Sequence, residues 1–149
     1  MSQDVQTKPV SMREKVDRLE SEMKHFPPVE IPVRHYFAAG LYAREITIPA
    51  GTVAVGKIHK TQHINVISHG AVTMVTDTGS QFVKAPYTWV VEPGKKAAAY
   101  AHKETVWTSF CVNPTDERDI EKLEAALISP VYLDQLEGDA SCPSLPHQP

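Results

Sequence analysis

From Val29 to Asn113 the chain reads as a series of short strands separated by turn residues, and this restricts the fold more than any other feature. The segments TVAVGKIH, HINVIS, AVTMVT, SQFVKA, YTWVVE, KAAAYAH and TVWTSFCV carry the β-branched, aromatic and alternating residues of strands. Between them stand Gly70, Asp77-Thr78-Gly79, Pro86 and Pro93-Gly94, each able to reverse the chain through a positive φ or a fixed one. Ahead of them, EIPVRHYF alternates Val29, Ile31 and Val33. GLYAREITIPAGT then places Tyr42, Arg44, Ile46 and Ile48 on one face before stopping at Pro49-Ala50-Gly51. No βαβ alternation is present, so the expected class is mainly β: a sandwich, jelly roll or small barrel.

A chain of 149 residues, 42% hydrophobic and 22% charged, encloses a single core of ordinary composition. The formal net charge of -3 and the scatter of Lys and Arg leave no basic footprint, which argues against a nucleic-acid partner. No apolar run is long enough to cross a bilayer, and MSQDVQTKPVSMREK lacks the apolar centre of a signal peptide. Two cysteines, Cys111 and Cys142, are too few for a disulfide scaffold. A soluble cytoplasmic protein is the expectation.

The β block, residues 29–113, is flanked on both sides. Within residues 1–28 an arm leads to Ser11-Met12-Arg13-Glu14, which has the form of a capping box. Met12, Val16, Leu19 and Met23 then follow at helical spacing, and Pro27-Pro28 ends the run. This narrow stripe suits either packing on its own domain or contact with a second subunit. Residues 114–137 predict a helix with Thr115 as N-cap, Asp116 and Glu117 in the first turn, and Ile120, Leu123 and Leu127 on the apolar face. Pro130 closes it, and VYLDQLEG adds a turn. Residues 138–149, polar and proline-rich, are expected to form a flexible tail.

The chemistry concentrates at His59-Lys60-Thr61-Gln62-His63. Positions i and i+4 point the same way if the chain stays extended, a tight bend at Lys60-Thr61-Gln62 would bring the two imidazoles closer still, and neutral imidazole is the commonest ligand for zinc, iron, copper and nickel. The competing expectation is one hydrogen-bonded core histidine and one on the surface. His69 and Glu104 suit solvated turns, Asn65 a satisfied interior amide or a ligand contact, and Tyr100 and Trp107 core or pocket wall. No phosphate loop, nucleophile elbow or paired-cysteine motif is present.

Gly56-Lys57-Ile58-His59-Lys60-Thr61-Gln62-His63, closed by Gly70 and preceded by IPAGT, resembles the first motif of the cupin superfamily. That motif runs glycine, two histidines separated by one residue, a glutamate and a closing glycine. His63 matches the glutamate, His59 the second histidine, and Lys57 the first, where a protonated amine is a poor ligand. In the second motif, proline and glycine precede a histidine. Pro93-Gly94 is present, but Ala97 stands at the histidine position. The nearest downstream histidine, His102, reaches the same face as Ala97 only if a bulge resets the strand alternation. Cys111 is a second candidate. The resemblance covers residues 40–113 and implies a cupin-type double-stranded β-helix, a jelly-roll barrel, with an N-terminal and a C-terminal flanking helix. It implies a divalent transition metal (Fe, Mn, Ni, Cu or Zn) held by His59, His63 and His102, with a small-molecule ligand in the barrel. Dioxygenase, isomerase or lyase activity would be in keeping with that. More distantly, APYTWVVEPGKKAAAYAHKETVWTSFCVNPTDERDIEKLE is similar to small cupins of bacteriophages and prophages. That likeness implies little about activity. The alternative reading is a non-catalytic cupin, a small-ligand binder or a structural or accessory protein of a phage particle with virion partners and a virion location, and a homo-oligomer is expected on either reading.

Overall fold

The computed structural model describes residues 8–136. Along the chain run α1 (Met12–Met23), β1 (Val33–Ala38), β2 (Leu41–Ile48), β3 (Val53–Val55), β4 (Ile58–His59), β5 (His63–His69) and β6 (Ala71–Thr76). They are followed by β7 (Gly79–Lys84), β8 (Tyr87–Val91), β9 (Ala98–Ala101), β10 (Thr105–Val112), α2 (Ile120–Leu127), β11 (Ile128–Ser129) and a 3-10 turn at Leu133–Gln135. Each quoted strand segment holds a strand, and the turn residues fall between them, except that Gly79 is the first residue of β7. Gly70 shows why one of these is obligatory. It joins β5 to β6 at φ +97°, and a Cβ there would lie 2.4 Å from the Glu104 carbonyl oxygen and from Thr105 Oγ1.

All pairings are antiparallel. One sheet has the order β1-β2-β10-β5-β8, a second the order β3-β9-β6-β7, and β11 pairs with β4 in a short third ladder. Neighbours in each sheet are mostly distant in sequence, the arrangement of a jelly roll. Ile48, Ile67, Val72, Met74, Val83, Ala99 and Ala101 form the buried core between the sheets. The outer face of the five-stranded sheet differs. Tyr36, Ala43, Phe110, Ile64 and Val90 are register partners in one row across all five strands, and all but Ala43 are exposed.

The capping box forms as expected: Glu14 N–H donates to Ser11 Oγ (3.2 Å) and Ser11 N–H to Glu14 Oε2 (2.8 Å). Helix α1 then packs on its own chain. Val16 is buried, the Lys96 ammonium bridges Asp17 and Glu20, and Arg13 forks onto Asp134 at 2.7 and 3.0 Å while lying over the Tyr132 ring. The second helix departs from expectation. Thr115 is not its cap: Asp116 takes φ 50° in a turn, and Asn113 holds that turn by accepting from Glu117 N–H and donating to Glu117 O. Asp119 caps the helix instead, accepting from Glu121 N–H (3.0 Å) and Lys122 N–H (3.3 Å). Leu123 and Leu127 pack on Tyr42 and Cys111, so α2 stops one end of the barrel. Residues 138–149 lie outside the described residues, as does Cys142.

Candidate functional site

His59 and His63 do converge. The backbone of His59 is held from two sides: Ile128 of β11 is its register partner, and Gly94 N–H donates to its carbonyl at 2.9 Å. The C-terminal segment thus fixes a strand only two residues long. Lys60, at the following bend, donates its N–H to Leu127 O and its ammonium to Ala125 O, both at 2.8 Å. His63 opens β5 opposite Val91. The two rings stack with centroids 3.9 Å apart and planes 29° from parallel.

His63 is buried and His59 half-buried. Each ring turns Nδ1 toward the carbonyl two residues earlier, His59 toward Lys57 O (3.3 Å) and His63 toward Thr61 O (3.4 Å). A carbonyl only accepts, so the proton sits on Nδ1 and the Nε2 lone pair is left bare in both rings. Burial, then the neighbouring His63 ring, pushes His59 down to about 4, and burial pushes His63 down as well. Both imidazoles are neutral at physiological pH.

The pair borders a cavity of about 1150 Å³ within the barrel. Its walls include Ile46, Ile48, Met74, Trp89 and Trp107, and the α1 side adds Leu19, Met23 and Phe26. Trp89 and Trp107 meet edge-on at 5.0 Å. An apolar enclosure with a few convergent polar groups is the usual form of a small-molecule site. Here the polar groups lie on the inner face of the five-stranded sheet. Arg44, Ser109 and Asn65 are successive register partners across β2, β10 and β5, and Ser109 Oγ donates to Asn65 Oδ1 at 2.7 Å.

The third expected ligand is not brought to the pair. His102 does not line the cavity: Ala97 and Ala99 do. The register of β9 runs without a bulge from Val72↔Ala101 to Val75↔Ala98, so alternation sends His102 outward. There its Nε2 meets Thr73 Oγ1 at 2.7 Å and its ring contacts Phe82 and Tyr100. Tyr100 is likewise exposed rather than part of the pocket wall. Ala97 reaches the cavity, as its place in the second motif implies, but offers only a methyl group. Cys111 lines the cavity and is buried, yet burial pushes its thiol up to about 11, leaving it protonated. Among the described residues no group of three or more His, Cys, Asp or Glu is placed to hold a metal. The two Nε2 atoms are at most two of the donors a transition ion takes, so the described residues do not enclose one by themselves.

Sequence reasoning placed Arg44 on a face with Tyr42, Ile46 and Ile48 without giving it a role. All four line the cavity. The available signal was a lone cation in an otherwise apolar alternating strand. Trp89 was also passed over, although its alternation with Tyr87 and Val91 identifies the inner face of β8.

No family model matches the sequence, and no curated protein does. Solved structures do. Salicylate 1,2-dioxygenase from Pseudaminobacter salicylatoxidans superposes with a TM-score of 0.54 at 14% identity, over 78% of this chain and 35% of that one. KdgF from Halomonas sp. gives 0.49 at 17% identity, over 64% of this chain and 88% of that one. A cupin-2 domain containing protein from Shewanella frigidimarina gives 0.47 at 12% identity, over 68% and 99%. This chain spans about a third of the dioxygenase's length. The fold is the cupin-type jelly roll, mainly β with two helices.

Proposed function

We propose that this chain is a small-molecule-binding protein of cupin fold, its ligand lying in the barrel cavity against the His59–His63 pair. The observation that carries this reading is the pair itself: two neutral, stacked imidazoles with bare Nε2 atoms at the edge of a cavity walled by Ile46, Ile48, Met74, Trp89 and Trp107. The same atoms would hold a divalent transition ion, with ligand or water oxygens filling the remaining positions. Such an ion supplies Lewis-acid polarisation of a ligand oxygen. The protein's part is to keep the rings neutral and fix them through the Lys57 and Thr61 carbonyls.

Both tryptophans of the chain, Trp89 and Trp107, line the cavity, so intrinsic fluorescence reports on it directly. The neutral probe N-phenyl-1-naphthylamine should bind saturably and draw energy from them. Ni²⁺ added to chelator-stripped protein should quench them saturably, and His59→Ala and His63→Ala should each abolish that quenching. Folded wild-type protein that does not take up the probe would refute the proposal.

A second reading, self-association, is favoured by the exposed row Tyr36, Phe110, Ile64 and Val90. Beside it, Arg34 and Glu45 face one another on β1 and β2, so a second copy of the same face meets both apolar surface and opposite charge. Light scattering should give a dimer that Phe110→Glu converts to monomer. A monomeric wild type would exclude it.

A further inference from the structure

Most polar groups at the cavity are already paired, Lys57 with Glu124, Lys95 with Asp77 and Lys96 with Asp17 and Glu20, but Arg44 and Asn65 on the sheet wall present donors for which the described residues supply no acceptor. Arg44 is half-buried on the cavity wall, and no carboxylate among the described residues lies within ion-pair reach of it. Two acidic residues at the cavity are already engaged: Glu124 with Lys57 at 3.1 Å and Glu20 with Lys96. The third, Glu22, is exposed on α1. Asn65, buried, spends its Oδ1 on the Ser109 hydroxyl, which leaves Nδ2 as its free donor. A half-buried guanidinium on a wall that also holds Tyr42, Ile46 and Trp107, with no counter-charge among the described residues, is free to take a fork of hydrogen bonds to an anion in the cavity. Arg44 also acts electrostatically on its surroundings, its charge helping to hold His59 in the neutral form.

Spacing sets the size of what would satisfy these donors. Arg44 and Asn65 are separated by one strand, about 10 Å between Cα atoms, a span that their side chains and one small anion can bridge. One carboxylate between them takes a fork from the guanidinium and a single bond from the amide. His63 lies two residues from Asn65 on the same face of β5, about 7 Å along the strand.

We propose, building on the ligand-binding reading above, that the ligand is a small carboxylate with an apolar or aromatic body. Its carboxyl group sits on Arg44 and Asn65, and its body lies against Trp89 and Trp107, extending past the histidine pair. The surrounding apolar walls make the ion pair stronger than it would be in water and exclude uncharged analogues only weakly. Arg44 is on this account a specificity determinant.

The test is displacement of N-phenyl-1-naphthylamine by octanoate and benzoate against octanol and benzyl alcohol, at neutral pH, in wild type and in Arg44→Met and Arg44→Lys. Each carboxylate should displace the probe at a concentration at least tenfold below that of its alcohol. Arg44→Met should erase this advantage while leaving the alcohols unchanged, and Arg44→Lys should keep part of it. Equal potency of acids and alcohols in wild type, which needs no variant, would overturn the inference and leave the cavity reading standing. An undiminished preference in a folded Arg44→Met would also overturn it. Failure of the probe itself to bind would overturn both.

Discussion

Acidification should destabilise this fold through His59, and the size of the effect follows from where the ring sits. In the unfolded chain its imidazole takes a proton near 6.5, and in the folded protein only near 4, because burial and the stacked His63 ring disfavour the cation. Between those values the unfolded state binds more protons. Stability from this group is therefore complete above about pH 6.5, falls as pH drops toward 4, and changes no further below it. Full titration over that gap corresponds to about 3 kcal/mol. Taken only to pH 5, and reduced because the ring is half-buried and partly screened by solvent, the loss is about 1–2 kcal/mol. Urea unfolding followed by tryptophan fluorescence, with a chelator present, measures it. Wild type should lose that much more stability between pH 7 and pH 5 than His59→Gln, whose amide does not titrate. His63 is present in both proteins, so the difference reports His59 together with its coupling to His63. Parallel stability curves for the two proteins would refute the placement of this ring.

Three further outcomes are expected. Gly70→Ala should lose at least about 2 kcal/mol in urea unfolding, since its Cβ meets backbone and Thr105 atoms at 2.4–2.7 Å and its φ is +97°. Lys96→Met should cost about 1–2 kcal/mol and speed amide exchange across residues 12–23, because its side chain, 11% exposed, joins Asp17 and Glu20 of α1 to the barrel. Ala97→His should place a third imidazole on the cavity wall that holds His59 and His63, tightening Ni²⁺ binding at least about tenfold by calorimetry.

What the sequence determines here is what short-range physics determines. Alternation with a period of two, broken by Gly70, Asp77-Gly79 and Pro93-Gly94, specifies the strands and which residues on each share a face, including Tyr42, Arg44, Ile46 and Ile48. The same local rule turns His102 away from Ala97, but it does not by itself stack His59 on His63: the strand breaks at Lys60, and that bend is held from afar by the Leu127 and Ala125 carbonyls. Even the capping box of α1 is a matter of residues three apart. The start of α2 is not legible in this way, because the choice of Asp119 over Thr115 depends on Asn113 holding the intervening turn. Nor is the site. Which inner face meets which depends on pairings such as β2 with β10 and β10 with β5, between residues far apart in the chain. Only those pairings set Arg44 in register with Ser109 and Asn65, place Cys111 beneath α2, and bring Ile128 alongside His59. A cavity is a property of several strands at once, so its donors and acceptors become a site only when the barrel closes.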